Sequence, residues 1–475
     1  MLNIPDEGHL WYGVKAISQY GDVPLLTFRG YDPGRYYWGA AWSVLIGDSL
    51  MAVRFSAMIF NAIGLSFGLL AVHRVYRKRW LLIPVAVLLL AWMFPRHKFV
   101  EASLAMALAY FGVLLVQAPT RRNYFISGVC VGLTAFFGRN LGLYGAVGFV
   151  TLSAFVYFKV DRADPLKRFL ALTAGIVTGY LPMLLMIILI PGFPETFVEN
   201  ILFWFRQGET NLPLPVPWLW TLNFPLNEPS TFSSSVLFTL LPPFVIGMLI
   251  LLFILPVKNV SRTALTAAGI CIGLFFLHHA YSRADIPHIA QSVHPMLLAL
   301  IGVPLLLENE WKRQLTTVLV AVFLIVVTLP AVTATPLGMW LRQPSDYVQF
   351  EIDGDTFWVS RHQAAYISAV QKFAEENPGR MAAIPYEAGI YAILDRPSPF
   401  WDNYLLFKAT DEVQQEAVRA FEDVEWILLG NNVVDGRADK HLEVIYPMLW
   451  SYIQSEFEPV TVEGLPTSHT ILVRQ

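Results

Sequence analysis

About ten apolar runs divide this chain, most of them near the length that carries a helix across a bilayer. They are 49–72, 80–94, 98–117, 124–138, 140–158, 168–190, 236–256, 263–280, 291–307 and 314–334. A hydrocarbon core asks for roughly 20 consecutive apolar residues in a helix. Several runs are shorter, and the pairs 80–94/98–117 and 124–138/140–158 are nearly continuous. Those pairs read as tight helical hairpins with polar corners. Such a chain is an integral membrane protein, and composition agrees. Hydrophobic residues make up 55% and charged residues 15%, against about 45–50% and about 25% in soluble domains. Cys130 and Cys271 both lie inside apolar runs and read as small core residues, so no disulfide framework is expected.

The basic residues set the direction of the spans, because short cytoplasmic loops collect Lys and Arg. One cluster is HRVYRKR at 73–79. The next are Arg121 and Arg122; Lys159, Arg162, Lys167 and Arg168; Lys258 and Arg262; and Lys312 and Arg313. Every second connection is therefore basic and belongs in the cytoplasm. The stretches 1–48, 95–98, 138–140, 191–235, 278–290 and everything after about 335 then face outward. This arrangement puts Met1 outside with no span before it. It leads to the expectation of one more N-terminal helix ahead of Leu2 in the natural protein.

The outward connections hold an unusual set of polar side chains. The first contains Asp6, Glu7, His9, Lys15, Arg29, Asp32 and Arg35. FPRHKF supplies Arg96, His97 and Lys98, with Glu101 one turn further on. FGRNLG supplies Arg139 and Asn140. The long loop 191–235 supplies Arg206, Glu209 and Asn211, and the stretch from 278 supplies His278, His279, Arg283, Asp285, His288 and His294. Ionisable groups near membrane depth are expensive, so a one-sided cluster is a functional candidate. Cations in outward corners also run against the positive-inside preference. Taken singly they read as snorkelling helix ends. Together they read as ligands of one anionic group, for which phosphate is the obvious candidate.

Leu10, Val14 and Ile17 form an apolar stripe at helical spacing. With Trp11 and Tyr12 beside it, the segment reads as an amphipathic helix lying in the interface. Asp6 and Glu7 fall at its N-terminus, where the free N–H groups favour a carboxylate in any case. YDPGRYYWGAAWSVLIG, at 31–47, reads as a second interfacial helix after a Pro-Gly turn. Beyond about 335 the composition becomes mixed polar. A helix is expected over 361–376, strands at MAAIPY and EWILLG, a helix at HLEVIYPMLWSYIQSEF and a strand at TILVR. This pattern suggests a small α/β domain with a mainly parallel sheet. His278, His279, Asp285 and His288 are possible metal ligands by type, but their spacing matches no standard zinc pattern and no metal is assigned.

These features together resemble the GT-C glycosyltransferases. PDEGHLWYG is similar to the acidic first-loop motif of the protein O-mannosyltransferases and the bacterial aminoarabinose lipid A transferases. GDSLMAVRFSAMIFNAIGLSFGLLAVHRVYRKR is similar to the span that follows that loop. IPYEAGIYAILDRPSP, 384–399, resembles a segment of the soluble domain in related bacterial members. The usual first helix is missing, and Tyr31-Asp32-Pro33-Gly34-Arg35 stands where a PPL segment often follows the acidic pair. The resemblance implies a polytopic α-helical membrane protein with a GT-C-like core of about ten spans at 1–335. It also implies an extracytoplasmic α/β domain at 336–475.

The resemblance implies an activity too: transfer of a sugar from a polyprenyl-phosphate donor to an acceptor hydroxyl on the outer, periplasmic face of the inner (plasma) membrane, with inversion. Asp6 would take the acceptor proton, with Glu7 supporting it or binding the acceptor. Arg96, His97, Lys98 and Arg139, then Arg283 and His279, would hold the donor phosphate. His9, Arg35, Glu101, Asn140, Asp285 and His288 are candidate contacts to acceptor or sugar. No cofactor is required, although a divalent cation remains an option. The expected partners are the lipid-linked sugar, a lipid, glycan or protein acceptor, and the bilayer; nucleic acid is not among them. The competing readings are a non-catalytic transporter or flippase of a lipid-linked saccharide, and a ligase or polymerase of the O-antigen type. The first would need no carboxylate in the first loop, and the second uses outward Arg and His without an acidic pair.

Overall fold

The computed structural model describes residues 2–76, 78–207 and 211–475. Met1 and Glu209, both of which figured in the expectations above, lie outside the described residues. By packing, the chain falls into two compact units. One comprises 1–56, 190–209 and 343–475, and the other 57–189 and 210–342.

In the first of these units, α1 (Asp6–Tyr20) and α2 (Pro33–Ile46) pack on each other and lead into α3 (Leu50–Val75). α1 ends in a left-handed Gly21, φ 71°, with Gly21 N–H on Ile17 O and Asp22 N–H on Ala16 O. The two interfacial helices are expected as helices and are present as helices, but α1 has no exposed face along most of its length. Every residue from Glu7 to Ala16 is buried. The helix Ala388–Ile393 covers the side of α1 that the stripe left for water. Gly8 makes that approach possible, since a Cβ there would stand 2.4 Å from Gly389 Cα. The acidic segment and the 384–399 segment, two stretches tied to one family by resemblance, therefore touch.

The C-terminal part of this unit opens with an antiparallel hairpin of β1 (Tyr347–Ile352) and β2 (Asp355–Ser360) that the sequence reading had not marked. The helix Arg361–Glu376 follows as expected. Then come β3 (Met381–Ile384), β4 (Trp426–Gly430), β5 (Phe457–Val460) and β6 (His469–Arg474), in the order β3-β4-β6-β5. Only β3 and β4 pair in parallel; β4–β6 and β5–β6 are antiparallel. The expected mainly parallel sheet is thus corrected. A parallel pair needs a helical crossover, and the chain between β3 and β4 has one. The short link between β5 and β6 permits only an antiparallel return. The long helix expected at 441–457 is split into Leu442–Ile445 and Pro447–Glu456, with Pro447 opening the second piece, and its end turns into β5.

The second unit is helical. Among the described residues, six helices are long and apolar enough to cross a membrane, and two bent pairs raise the number to eight. Arg79–Ala91 is a shorter apolar helix, and Arg121–Phe137 is 17 residues long. The bent pairs are Pro165–Gly179 with Leu181–Leu189, at 53°, and Ile286–Ser292 with His294–Leu306, at 60°. The run expected as one helix at 291–307 is the second of these. It starts earlier, at Ile286, and breaks where Pro295 follows His294.

Burial ranks the helices. Arg96–Gln117 and Val260–Ser282 are mostly buried, whereas Glu310–Val332 is mostly exposed. The first two form the centre of the unit, and the last presents its sides outward. Small residues make the centre possible. Ala264, Ala267, Ala268, Gly269, Cys271 and Gly273 are buried along one helix, and a Cβ on Gly269 would meet Pro295 O at 2.4 Å. Between Arg121–Phe137 and Pro165–Gly179 the approach is closer still. Gly128, Gly132, Gly175 and Gly179 each place a would-be Cβ 2.1 Å from a carbonyl of the opposing helix.

Candidate active site

Two clusters carry the polar chemistry, one in each unit. In the first, Asp6 opens α1 and is partly exposed. Its backbone N–H donates to Asn3 Oδ1 at 2.8 Å, while the Asn3 amide reaches Asp6 Oδ2 at 3.4 Å. Tyr404 donates its hydroxyl to Asp6 Oδ1 at 2.5 Å. Burial, reinforced by the Asp6 charge, pushes the Tyr404 hydroxyl well above the ordinary tyrosine range, so it keeps its proton and acts as donor.

Glu7 is buried and has a different partner. Arg54 donates Nε to Oε1 and Nη2 to Oε2, each at 2.8 Å. This is the two-pronged geometry in which guanidinium and carboxylate fit best. The adjacent acids therefore differ in environment: Glu7 is held in an ion pair, and Asp6 sits at the rim under a phenol. His9 is buried, with Nε2 2.9 Å from Arg29 O. It stacks on Tyr404 at 4.9 Å and meets Tyr31 edge-on at 5.9 Å. Arg35 is buried over the Tyr31 ring at 4.4 Å. His9 and Arg35 thus line the aromatic floor behind Asp6.

In the second unit, Arg96, His97 and Lys98 form a single 3-10 turn that runs into the helix Phe99–Gln117, with His97 and Glu101 buried. Lys98 and Glu101 lie within electrostatic reach of His279. His279 Nε2 is bonded to the Gln291 side-chain oxygen at 3.1 Å, and its ring lies 5.6 Å from that of His288. His288 Nδ1 is 2.6 Å from Asp285 Oδ1, and its Nε2 is 3.0 Å from the Asn211 amide nitrogen. An amide nitrogen only donates, so Nε2 accepts from Asn211 while Nδ1 faces the Asp285 carboxylate. Arg283 donates Nε to Asp285 Oδ2 at 2.9 Å and Nη1 to Leu212 O at 3.2 Å. Lys98, Glu101, His279, Arg283, Asp285 and His288 are thereby brought into one neighbourhood, together with Asn211 and Gln291.

Arg139 and Asn140 open the helix Arg139–Lys159, one turn before Tyr144, whose hydroxyl is 2.7 Å from His278 Nδ1. The sequence corner FGRNLG and the end of the helix Val260–Ser282 are therefore joined. Of the four residues considered as metal ligands, His278 turns to Tyr144, His279 to Gln291, and Asp285 and His288 to each other. No group of three His, Cys, Asp or Glu suited to a metal ion occurs among the described residues. Arg206 pairs with Glu199 at 3.2 Å on the exposed face of the helix Phe193–Gln207.

Sequence reasoning missed Arg54, Tyr404 and Asn211's role. Arg54 stood inside a run read as a span, where its charge was the available signal. Tyr404 carried none.

A buried helical core of small residues, a helical segment that begins in an acidic pair, and a small C-terminal α/β portion make up the fold of this chain, and that fold is one already seen in solved structures. Two solved structures carry that statement. ArnT from Cupriavidus metallidurans, bound to undecaprenyl phosphate, matches with a TM-score of 0.54 at 16% identity, over 98% of this chain and 93% of that one. The Archaeoglobus fulgidus oligosaccharyltransferase in its apo form matches with a TM-score of 0.52 at 12% identity, over 99% of this chain and 72% of that one. No protein-family profile matches the sequence, and no curated protein matches it. At these identities the likeness establishes the fold.

Proposed function

We propose that the protein is a membrane glycosyltransferase that moves a sugar from a polyprenyl-phosphate donor to an acceptor hydroxyl on the outer face of the cell membrane. Asp6 takes the proton of the acceptor hydroxyl as its oxygen attacks C1 of the sugar. The bond from C1 to the phosphate oxygen breaks, the electron pair leaves with the polyprenyl phosphate, and a single displacement inverts C1. Arg96, His97, Lys98 and Arg139 hold the departing phosphate, with Arg283 and His279 behind them. His9, Arg35, Glu101, Asn140, Asp285 and His288 serve sugar and acceptor. The chemistry calls for no cofactor.

The observation that carries this reading is the unequal pair at the start of α1. Glu7 is held by two bonds from Arg54, whereas Asp6 is partly exposed and is oriented by the Tyr404 hydroxyl. ArnT, which was solved with undecaprenyl phosphate, supports the donor class. The test is transfer in membranes carrying the wild-type chain or Asp6→Asn, supplied with a panel of polyprenyl-phosphate hexoses and pentoses. Loss of transfer with Asp6→Asn is the expected result. Intact transfer with Asp6→Asn defeats the reading, and movement of the lipid-linked sugar across the bilayer without transfer points to a transporter instead.

A further inference from the structure

The loop that carries Tyr404 is fastened at several points. Arg29 N–H donates to Trp401 O at 2.8 Å, and Trp401 Nε1 donates to Leu25 O at 3.0 Å. Arg29 Nη1 reaches Asp402 Oδ2 at 2.7 Å, and the Tyr446 hydroxyl donates to the same oxygen. Leu405 N–H donates to Pro385 O at 2.9 Å. The ring of Tyr404 lies on His9 and meets Tyr386 edge-on at 5.0 Å. A phenol held by backbone on both sides and by rings on two faces has little freedom to turn. Its one polar atom is on Asp6.

We propose that Tyr404 is the positioning residue of the Asp6 base. Its hydroxyl holds Oδ1 and, with the Asn3 amide 3.4 Å from Oδ2, fixes the rotation of the carboxylate. This rests on the reading of Asp6 as the base. The physical need is clear. A proton is transferred only across about 2.6–3.2 Å, and an aspartate at a helix start has free rotation about two bonds unless something holds it. A donor on the carboxylate also stabilises its charged form. When substrate displaces water from the rim, that bond keeps Asp6 ionised and ready to accept. The cost is a slightly weaker base, which is tolerable because the same bond provides aim.

Tyr404→Phe in the full chain isolates the hydroxyl, since the ring contacts remain. Two readouts are needed. The first does not depend on activity: carbodiimide labelling of Asp6 in detergent as a function of pH, read by peptide mass spectrometry. Loss of the donor is expected to move the labelling midpoint upward by about one pH unit. The second is transfer from a polyprenyl-phosphate sugar. Here kcat is expected to fall about 10–100-fold with the donor KM unchanged, the signature of lost alignment. An unmoved labelling midpoint overturns the proposal. A moved midpoint with unchanged kcat also overturns it, because the contact then does no positioning. Wild-type membranes that transfer no sugar from the panel would sink the functional reading, while the labelling midpoint would still report on the contact.

Discussion

Arg54 grips Glu7 with two nitrogens, Nε on Oε1 and Nη2 on Oε2, both at 2.8 Å, with only 12% and 4% of the two side chains exposed. Removing one member of such a pair strands the other charge. Arg54→Ala is expected to lower the stability of the purified protein by about 3 kcal/mol. Glu7→Gln with Arg54→Ala should cost much less than the sum of the two single changes. A double-mutant cycle by thermal unfolding in detergent measures this, and additive losses would show that the pair is not coupled.

The glycine pairs make a sharper stability prediction. A methyl group on Gly132 would meet Ile176 O at 2.1 Å, backbone that has nowhere to go. Gly132→Ala should therefore push the two helices apart and cost on the order of 1–3 kcal/mol. Gly247 lies in another apolar helix, with no atom within 4 Å of its would-be Cβ. Gly247→Ala should be neutral or stabilise by up to about 1 kcal/mol. Melting temperatures of the two variants in one detergent decide the matter.

Lys15 gives a prediction about pH. Its ammonium is buried and bonded to Asp353 at 2.9 Å, Asp395 at 3.1 Å and Ala392 O at 3.1 Å. Burial works against the charge, but the two carboxylates outweigh it and raise the Lys15 pKa above 10.5. Its contribution is therefore fully present below that value and is lost as pH rises through the folded one. Asp395 is also opposed by burial, yet bonds from Gln19 and Lys15 lower it beneath 3.8. Its contribution is present above 3.8 and is lost as pH falls through the folded value. The stability difference between wild type and Lys15→Met should thus be flat between about pH 5 and about pH 9 and shrink only outside that window. Unfolding followed across pH checks it; a slope near neutrality would contradict it.

For the outward cations the readout is lipid binding. On the proposed function, Arg96→Ala and Arg139→Ala should each weaken binding of a polyprenyl phosphate by about 10–100-fold, the loss of one charge-assisted contact. Arg342→Ala removes a cation that pairs with Glu228 on an exposed surface, so it should leave binding unchanged. Native mass spectrometry with titrated lipid separates these outcomes.

The spans were readable because a bilayer imposes a local demand: an unbroken apolar run is visible without knowing what it touches. The corners Arg96–Lys98 and Arg139 were readable for the same reason, as charge where none is expected. α1 shows where this stops. Its stripe of Leu10, Val14 and Ile17 suggested one buried face, but Gly8 admits a second helix from hundreds of residues away. The sheet failed in the same way, since β6 inserts between β4 and β5. Arg54 was hidden by the apolar run around it, although a charge in such a run is itself a signal. Tyr404 left no trace, because its meaning is entirely in what it meets.

The acidic segment and its phenol partner are separated by 398 residues. At a synthesis rate of about 5–20 residues per second, Asp6 waits roughly 20–80 seconds for Tyr404 to be made. The membrane helices of the second unit are all threaded in that interval. The Asp6 carboxylate is therefore made before those helices, and the phenol that fixes its orientation only after them.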